Sequence, residues 1–225
     1  FINKSNYVSI MENNKLKVKD LVNIGIFSAL YMVISMIVMI PVGIAPILWL
    51  IWPGIAGLFG GAFFTLLMTK VPKQGAALIL AIITGLLYFA TGECTWVIIV
   101  TFAVAGILGE AARKVLGYKS FKGIALAGGF TAFGFIGSPL PMWLFQDAYM
   151  KSIEEMGMGV EYVEGLQSMI SAGSFIGMLA VAFVGGLIGT LAASLPAPCS
   201  ASTLKRQASF NGYNKKGYLS PRPKD

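Results

Sequence analysis

Six long apolar runs are the feature that most restricts what this chain can fold into. They cover residues 21–40, 45–68, 75–91, 95–112, 121–145 and 169–194. A helix of about 17–25 apolar residues crosses the hydrocarbon core of a bilayer. The runs are continuous and rich in Ala, Gly and Leu, without the polar–apolar alternation of a barrel strand. Since a spanning segment must satisfy its own backbone hydrogen bonds, we predict an all-α, polytopic membrane protein with six transmembrane helices.

The composition excludes a water-soluble fold and a histidine-based metal or haem site. Of the 225 residues, 56% are hydrophobic and only 12% are charged, whereas soluble domains carry about 25% charged residues. The chain has no histidine, the commonest metal ligand and proton shuttle. Cys94 and Cys199 are far apart and match no zinc or redox spacing. We therefore expect no metal and no cofactor.

The basic residues fall almost entirely on one side of the predicted membrane. With six spans the connecting loops alternate between sides, and 16 of the 17 Lys and Arg residues fall on the side of the two termini. The opposite side carries Lys151 as its one cation. Because positive loops stay in the cytoplasm, we predict that both the N-terminus and the C-terminus are cytoplasmic. The basic excess is thus a topology signal and not a nucleic-acid-binding patch.

Three segments are expected along the chain. Residues 15–195 form the six-helix membrane domain. Residues 1–14 are interpreted as an N-terminal leader and are expected to be disordered. Within them, the stretch from Met11 reads as a natural start, so residues 1–10 are interpreted as upstream sequence. Residues 196–225 contain Pro, Ser, Gly and six cations, and are expected to be a basic disordered tail.

The predicted outer side is rich in acids and tryptophan. Most of its acids lie in the long loop 146–168, for which we predict a short helix over the outer face. All four tryptophans also fall on this side, and two of them flank an expected break of the second span at Pro53–Gly54. An aromatic belt at the headgroup level and a small-molecule pocket both explain this pattern. Glu93 is either a helix cap or a ligand contact. The candidate substrate-binding residues are Trp49, Trp52, Glu93, Trp96, Trp143, Gln146, Asp147 and Tyr149.

Small residues recur four apart on the first and last spans. Gly25 and Ala29 lie on the first span, and the pairs Gly173/Gly177 and Gly185/Gly189 lie on the last. Such faces let helices approach closely, either within the bundle or on another membrane protein. On the fourth span, Glu110 is expected to pair with Arg113 or Lys114 one turn later.

Several catalytic signatures are missing from the sequence. It contains no GxxxxGK[ST] phosphate loop, no HExxH and no nucleophile elbow. No two acids are paired within the spans, and no internal duplication is evident. These observations argue against an enzyme, and the missing duplication weakens an inverted-repeat transporter.

Three stretches carry a family resemblance when they are taken in order along the chain. They are KVKDLVNIGIFSALY, GEAARKVLGYKS and GSPLPMWLFQDAYM. Over residues 15–195 the layout resembles the substrate-binding S component of an energy-coupling-factor (ECF) transporter. More narrowly, it resembles the Trep_Strep family of integral membrane proteins.

The resemblance implies a subunit of the bacterial cell membrane that captures a vitamin, metal or other micronutrient from outside. It implies a membrane T subunit and two cytoplasmic ATPase subunits as partners, with Gly25 and Ala29 at the positions that pack against the T subunit. The weakly acidic, aromatic lining and the absence of an outer Arg favour a neutral or cationic organic ligand. The alternative function is a stand-alone secondary transporter or channel for a small organic solute.

Overall fold

The described part of the chain is built from helices and their connections. The computed structural model describes residues 15–92 and 95–194, apart from the side chains of Val42 and Gly43. No strand occurs in these ranges. Their α-helices are α1 (Val18–Met39), α2 (Ile47–Lys70), α3 (Ala76–Ala90), α4 (Val97–Leu116), α5 (Phe121–Thr131), α6 (Pro141–Leu144), α7 (Gln146–Glu155), α8 (Val160–Ser168) and α9 (Ala172–Ser194). Two 3₁₀ segments, Ile40–Ile44 and Ala132–Gly137, follow α1 and α5. The predicted leader and tail lie outside the described residues.

Three helices have the length and apolarity needed to cross a membrane. They are α1, α2 and α9, of 22, 24 and 23 residues. At 1.5 Å per residue, α2 is about 36 Å long, which exceeds the roughly 30 Å of a hydrocarbon core. The apolar helix α3 and the segment Phe121–Gly137 are shorter. The structure therefore confirms an all-helical fold with several apolar helices.

The expected break of the second span is wrong. Helix α2 continues through Pro53, which is buried inside it. Proline lacks the N–H that would bond the carbonyl of Trp49 four residues earlier, so one hydrogen bond of the helix is lost. Close packing of α2 on α9 at this point explains why the helix still continues. The two backbones are so near that a Cβ on Gly54 would lie 2.6 Å from the backbone oxygen of Val181 on α9.

The predicted fifth span, 121–145, is not one helix. It begins as α5, tightens into the 3₁₀ segment Ala132–Gly137, turns, and ends as the single turn α6. Gly134 lies directly against the ring of Phe102, and a Cβ on Gly137 would lie 2.7 Å from the Cα of Ile98. This close approach to α4, with prolines at 139 and 141, ends the regular helix.

The predicted outer loop forms two helices rather than one. Helices α7 and α8 cover most of residues 146–168 and are separated by a turn at Gly157, where φ is +85°. Each buries an apolar pair: Met150 and Ile153 from α7, and Val163 and Leu166 from α8. Their acids point outward, as expected for solvated loop acids.

Glycine contacts join α2 to α9 along their length. A Cβ on Gly57 would lie 2.9 Å from the backbone nitrogen of Gly186, and one on Gly61 would lie 2.6 Å from the backbone of Gly189. Gly185 meets the carbonyl of Gly54 in the same row. The Gly185/Gly189 pair of the last span thus packs within the bundle, which is one of its two expected roles.

The two ends of the bundle have different chemistry. We call the first the basic end: the start of α1, the 71–75 loop, the end of α4 and the 117–120 turn. Polar contacts join these segments, among them an ion pair of 2.6 Å between Lys73 and Asp20. We call the second the aromatic end: the start of α2, helices α6 to α8, Trp96 and the start of α9. There, Gly165 of α8 packs on Pro46 just before α2.

Candidate functional site at the aromatic end

Trp49 and Trp52 lie on one face of α2, three residues apart, and both are buried. Their ring centroids are 6.0 Å apart. Trp52 is completely enclosed by protein. The pair that the sequence placed beside Pro53 therefore points into the bundle and not toward a lipid headgroup layer.

Phe135 is the centre of the ring packing beneath the two tryptophans. Its centroid lies 5.2 Å from Tyr31, 5.6 Å from Trp52, 6.1 Å from Tyr88 and 5.2 Å from Phe102. Most of these pairs are edge-to-face, the arrangement that aromatic quadrupoles favour. We call this group the aromatic cluster; it comprises Tyr31, Trp49, Trp52, Tyr88, Phe102 and Phe135.

One polar group in the aromatic cluster has no acceptor. The indole Nε1 of Trp52 is buried and has no hydrogen-bond partner among the described residues. A buried donor without a partner costs about 1–3 kcal/mol. By contrast, the Tyr88 hydroxyl bonds the Ser35 hydroxyl at 2.5 Å. Arg113 Nε and the Tyr118 hydroxyl at the basic end also lack a partner, so among the buried unpaired atoms of the described chain the Trp52 N–H is the one beside predicted site residues.

A side-chain hydrogen bond joins helix α7 to α2 at the aromatic end. Trp49 donates from Nε1 to the hydroxyl oxygen of Tyr149 at 2.6 Å. The two residues are 100 positions apart in the chain. Partial burial of Tyr162 on α8 raises the pKa of its phenol above the ordinary value. We call α7 and α8 together the cap.

The other predicted site residues that the structure describes lie around the cap rather than in the aromatic cluster. Trp143 is half-buried, donates from Nε1 to the Ser171 carbonyl at 3.2 Å, and packs edge-on against Phe175. Trp96 is 57% exposed and lies 6.4 Å from the ring of Phe145. Gln146 and Asp147 are exposed on α7, and Glu93 lies outside the described residues. The structure thus brings together Trp49, Trp52 and Tyr149.

The predicted partner face on α1 is open within the described chain. A Cβ on Gly25 would meet nothing within 4 Å, and Ala29 is exposed. Gly177 on α9 is equally open. These small residues do not contribute to the close helix contacts described above.

A shallow apolar groove of about 450 Å³ lies between α2 and α9. It is lined by Gly54, Ile55, Leu58, Ala180, Val181, Val184, Gly185 and Ile188. The groove offers no polar side chain to orient a ligand, so it is a poorer candidate for a specific site than the aromatic end.

The basic end contains a polar cluster that sequence reasoning largely missed. The predicted contact between Glu110 and Arg113 is present at 3.7 Å. Glu110, however, makes shorter contacts with the backbone N–H groups of Gly75, at 2.6 Å, and Ala77, at 3.2 Å, and so caps the start of α3. The only sequence signal for this cluster was the spacing of Glu110 and Arg113, an acid and a cation three residues apart at the end of a predicted helix.

Arg113 is the fully buried cation of this cluster. Its guanidinium donates to the carbonyls of Val71, Lys73 and Tyr118 over 3.4–3.5 Å and lies over the Tyr118 ring at 5.2 Å. The neighbouring Lys114 is exposed. Arg113 therefore ties together the 71–75 loop and the 117–120 turn.

Comparison with known proteins identifies the family. A family model described as a hypothetical bacterial integral membrane protein (Trep_Strep) matches residues 18–195. No curated protein and no solved structure matches the chain. The match covers the described helices from α1 through α9 and confirms the narrower resemblance, to the Trep_Strep family. The chain therefore belongs to the Trep_Strep family and is a multi-pass protein of the bacterial membrane.

Proposed function

We propose that this chain is the substrate-binding S component of an ECF-type ABC importer. It captures a vitamin or other micronutrient at its aromatic end and delivers it through a membrane T subunit and a pair of cytoplasmic ATPases. The observation that carries the proposal is the buried indole N–H of Trp52, which lacks an acceptor at the place where three predicted site residues meet.

The chemistry around Trp52 suits a small organic ligand. Aromatic rings surround the indole and offer flat apolar contact, and its N–H offers one directional hydrogen bond. A ligand oxygen or nitrogen that accepts this bond would remove the cost of an unpaired buried donor. The new hydrogen bond to the Trp52 N–H would therefore contribute favourably to the free energy of ligand binding.

The cap supplies a route to this position. Helices α7 and α8 contact the bundle through side chains that include two apolar pairs, the Trp49–Tyr149 hydrogen bond and the Gly165–Pro46 contact. In the proposed capture step the cap moves away from α2 while α1 to α5 stay in place. Movement of this kind commonly admits a ligand and then excludes water.

The distribution of charge supports an outward-facing aromatic end. The described acids of the cap are exposed there, and the described cations other than Lys151 lie at the basic end. The positive-inside rule then puts the basic end in the cytoplasm. In this orientation α1, α2, α3, α4, the segment Phe121–Gly137 and α9 are the six crossings. The two short ones are accommodated by local thinning of the bilayer.

The interior of the long helices offers little for ion-coupled transport by the chain alone. The described buried Ser and Thr side chains of α1 to α3 bond carbonyls of their own helix, as Ser28 does with Ile24 and Thr84 with Leu80. Arg113 of α4, the buried charged side chain among the described residues, is at the basic end. A midplane site built on ionisable groups is therefore missing from the described residues. This favours a capture subunit that depends on separate ATPases.

Native mass spectrometry of the detergent-purified protein tests ligand capture. Wild-type protein from cells grown in rich medium should carry a small organic molecule. Trp52→Phe keeps an aromatic ring but removes the N–H, and should weaken binding of the same molecule about tenfold. Trp96→Phe, at the exposed tryptophan, is the matched control and should retain it. Equal occupancy in Trp52→Phe and wild type would place the ligand elsewhere.

Affinity purification from native membranes tests the partners. Mass spectrometry should identify a T subunit and two ATPases, and Ala29→Trp on the open face of α1 should release them. Ile82→Trp, on the exposed side of α3, is the control that should leave the complex intact. Solute uptake by the purified chain alone in liposomes would contradict the proposal and favour a stand-alone transporter.

A further inference from the structure

Exposed lysines and exposed apolar side chains alternate where α4 ends and α5 begins. Lys114, Lys119 and Lys122 are exposed, and between them Val115, Leu116 and Phe121 are 83%, 41% and 48% exposed. We call these six residues the lysine patch. A surface of this kind is apolar and cationic at once, which is unusual for a face turned only toward water.

The lysines of the patch have no acidic partner among the described residues. Glu110, the nearest acid along the chain, is engaged by the backbone of Gly75 and Ala77 and by Arg113. Asp20, the other described acid of the basic end, is paired with Lys73. The patch therefore presents three positive charges that the described chain does not neutralise.

The backbone under the patch is held in place. Arg113 is buried and donates to the Tyr118 carbonyl at 3.4 Å, in the middle of the patch, and to carbonyls of the 71–75 loop. Gly117 makes the turn with φ of +96°, a conformation that few other residues adopt. The lysines thus project from a fixed platform, so little ordering of the backbone opposes binding.

We infer that the lysine patch binds the headgroups of anionic phospholipids. Its apolar side chains extend from the ends of membrane helices into hydrocarbon, while the lysine stems carry their ammonium groups to the level of the phosphates. Further exposed cations come from separate segments of the same end: Lys15, Lys17, Lys19 and Lys70. Charges that come from several segments match a lipid surface surrounding the bundle better than a single protein docked on one side.

Competition between lipids in native mass spectrometry tests this inference on the full chain. The purified protein is mixed with equal amounts of phosphatidylglycerol and phosphatidylcholine that have the same acyl chains, and the ratio of the two bound lipids is measured. Wild type should favour phosphatidylglycerol. Each Lys contributes about a fivefold preference at a membrane surface, so the triple variant Lys114→Gln, Lys119→Gln, Lys122→Gln should lower the ratio at least about fivefold.

Two controls separate the patch from net charge and from misfolding. The triple Lys→Arg variant keeps the charge and should keep the ratio. Lys151→Gln removes an exposed cation of the aromatic end and should leave the ratio unchanged. An unchanged ratio in the triple Gln variant would overturn the inference. So would an equal fall in Lys151→Gln, or the loss of an identified bound protein from the Gln variant without any change in bound lipid.

Discussion

The two ends of the bundle are held together by different kinds of interaction. At the basic end, Arg113 and Glu110 bond backbone groups of neighbouring segments, and Lys73 pairs with Asp20. At the aromatic end, aromatic rings pack together, and a side-chain hydrogen bond between Trp49 and Tyr149 joins α7 to α2. This difference supports the proposal that the aromatic end opens to a ligand while the basic end stays in place.

The largest expected effect comes from removing the buried cation of the basic end. Arg113→Met keeps most of the side-chain volume but removes the cation beside Glu110 and the donor to three backbone carbonyls. Breaking a buried charge pair in this way costs about 3–5 kcal/mol. The free energy of unfolding in detergent should fall by this amount. Lys114→Met, at the exposed neighbour, is the control and should change it by less than about 0.5 kcal/mol.

A smaller and more local effect is expected at the aromatic end. Tyr149→Phe removes the acceptor for Trp49 but keeps the ring, at a cost of about 1 kcal/mol. This should appear as about fivefold faster hydrogen exchange in residues 146–155, with the basic end unchanged. If Tyr149→Phe instead speeded exchange at both ends equally, the two ends would not be independent.

The Lys73–Asp20 ion pair should contribute less. Its side chains are 19% and 16% exposed, so solvent screens the attraction in part. Asp20→Asn should lower the free energy of unfolding far less than Arg113→Met does, and the difference from wild type should shrink at high salt. A loss as large as that of Arg113→Met would mean that the basic end depends on this pair rather than on the buried guanidinium.

The smallest effect is expected on the surface of the cap. Lys151 and Glu155 are 3.9 Å apart, one turn apart on α7, and both side chains are largely exposed. Lys151→Ala should change the free energy of unfolding by less than about 0.5 kcal/mol. A measurably faster exchange of α7 in this variant would show that charges, and not rings and the Tyr149 hydroxyl, hold the cap.

The sequence predicted the long helices better than the site. Hydropathy alone finds α1, α2 and α9, because their apolar runs are long and uninterrupted. It could not predict the end of regular helix after Thr131, which depends on Gly134 and Gly137 meeting α4. That contact joins residues distant in the chain and leaves no local pattern.

Residue type also could not assign burial to the tryptophans or to the cations. Trp52 and Trp96 both lie near helix ends at the same side, yet one is enclosed and the other is 57% exposed. Arg113 and Lys114 are neighbours, and only Arg113 turns inward. Whether a side chain points inward depends on which face of its helix packs against the bundle. Counting charged or aromatic residues gives no information about that face.

Hydrogen exchange of the purified wild-type protein, followed by mass spectrometry, tests most directly whether the aromatic end opens while the basic end stays fixed. Residues 146–168 should exchange through an opening that costs less free energy than global unfolding. The segments 71–77 and 113–118 should exchange only on global unfolding. Equal protection of the two ends, or earlier exchange at the basic end, would contradict the account.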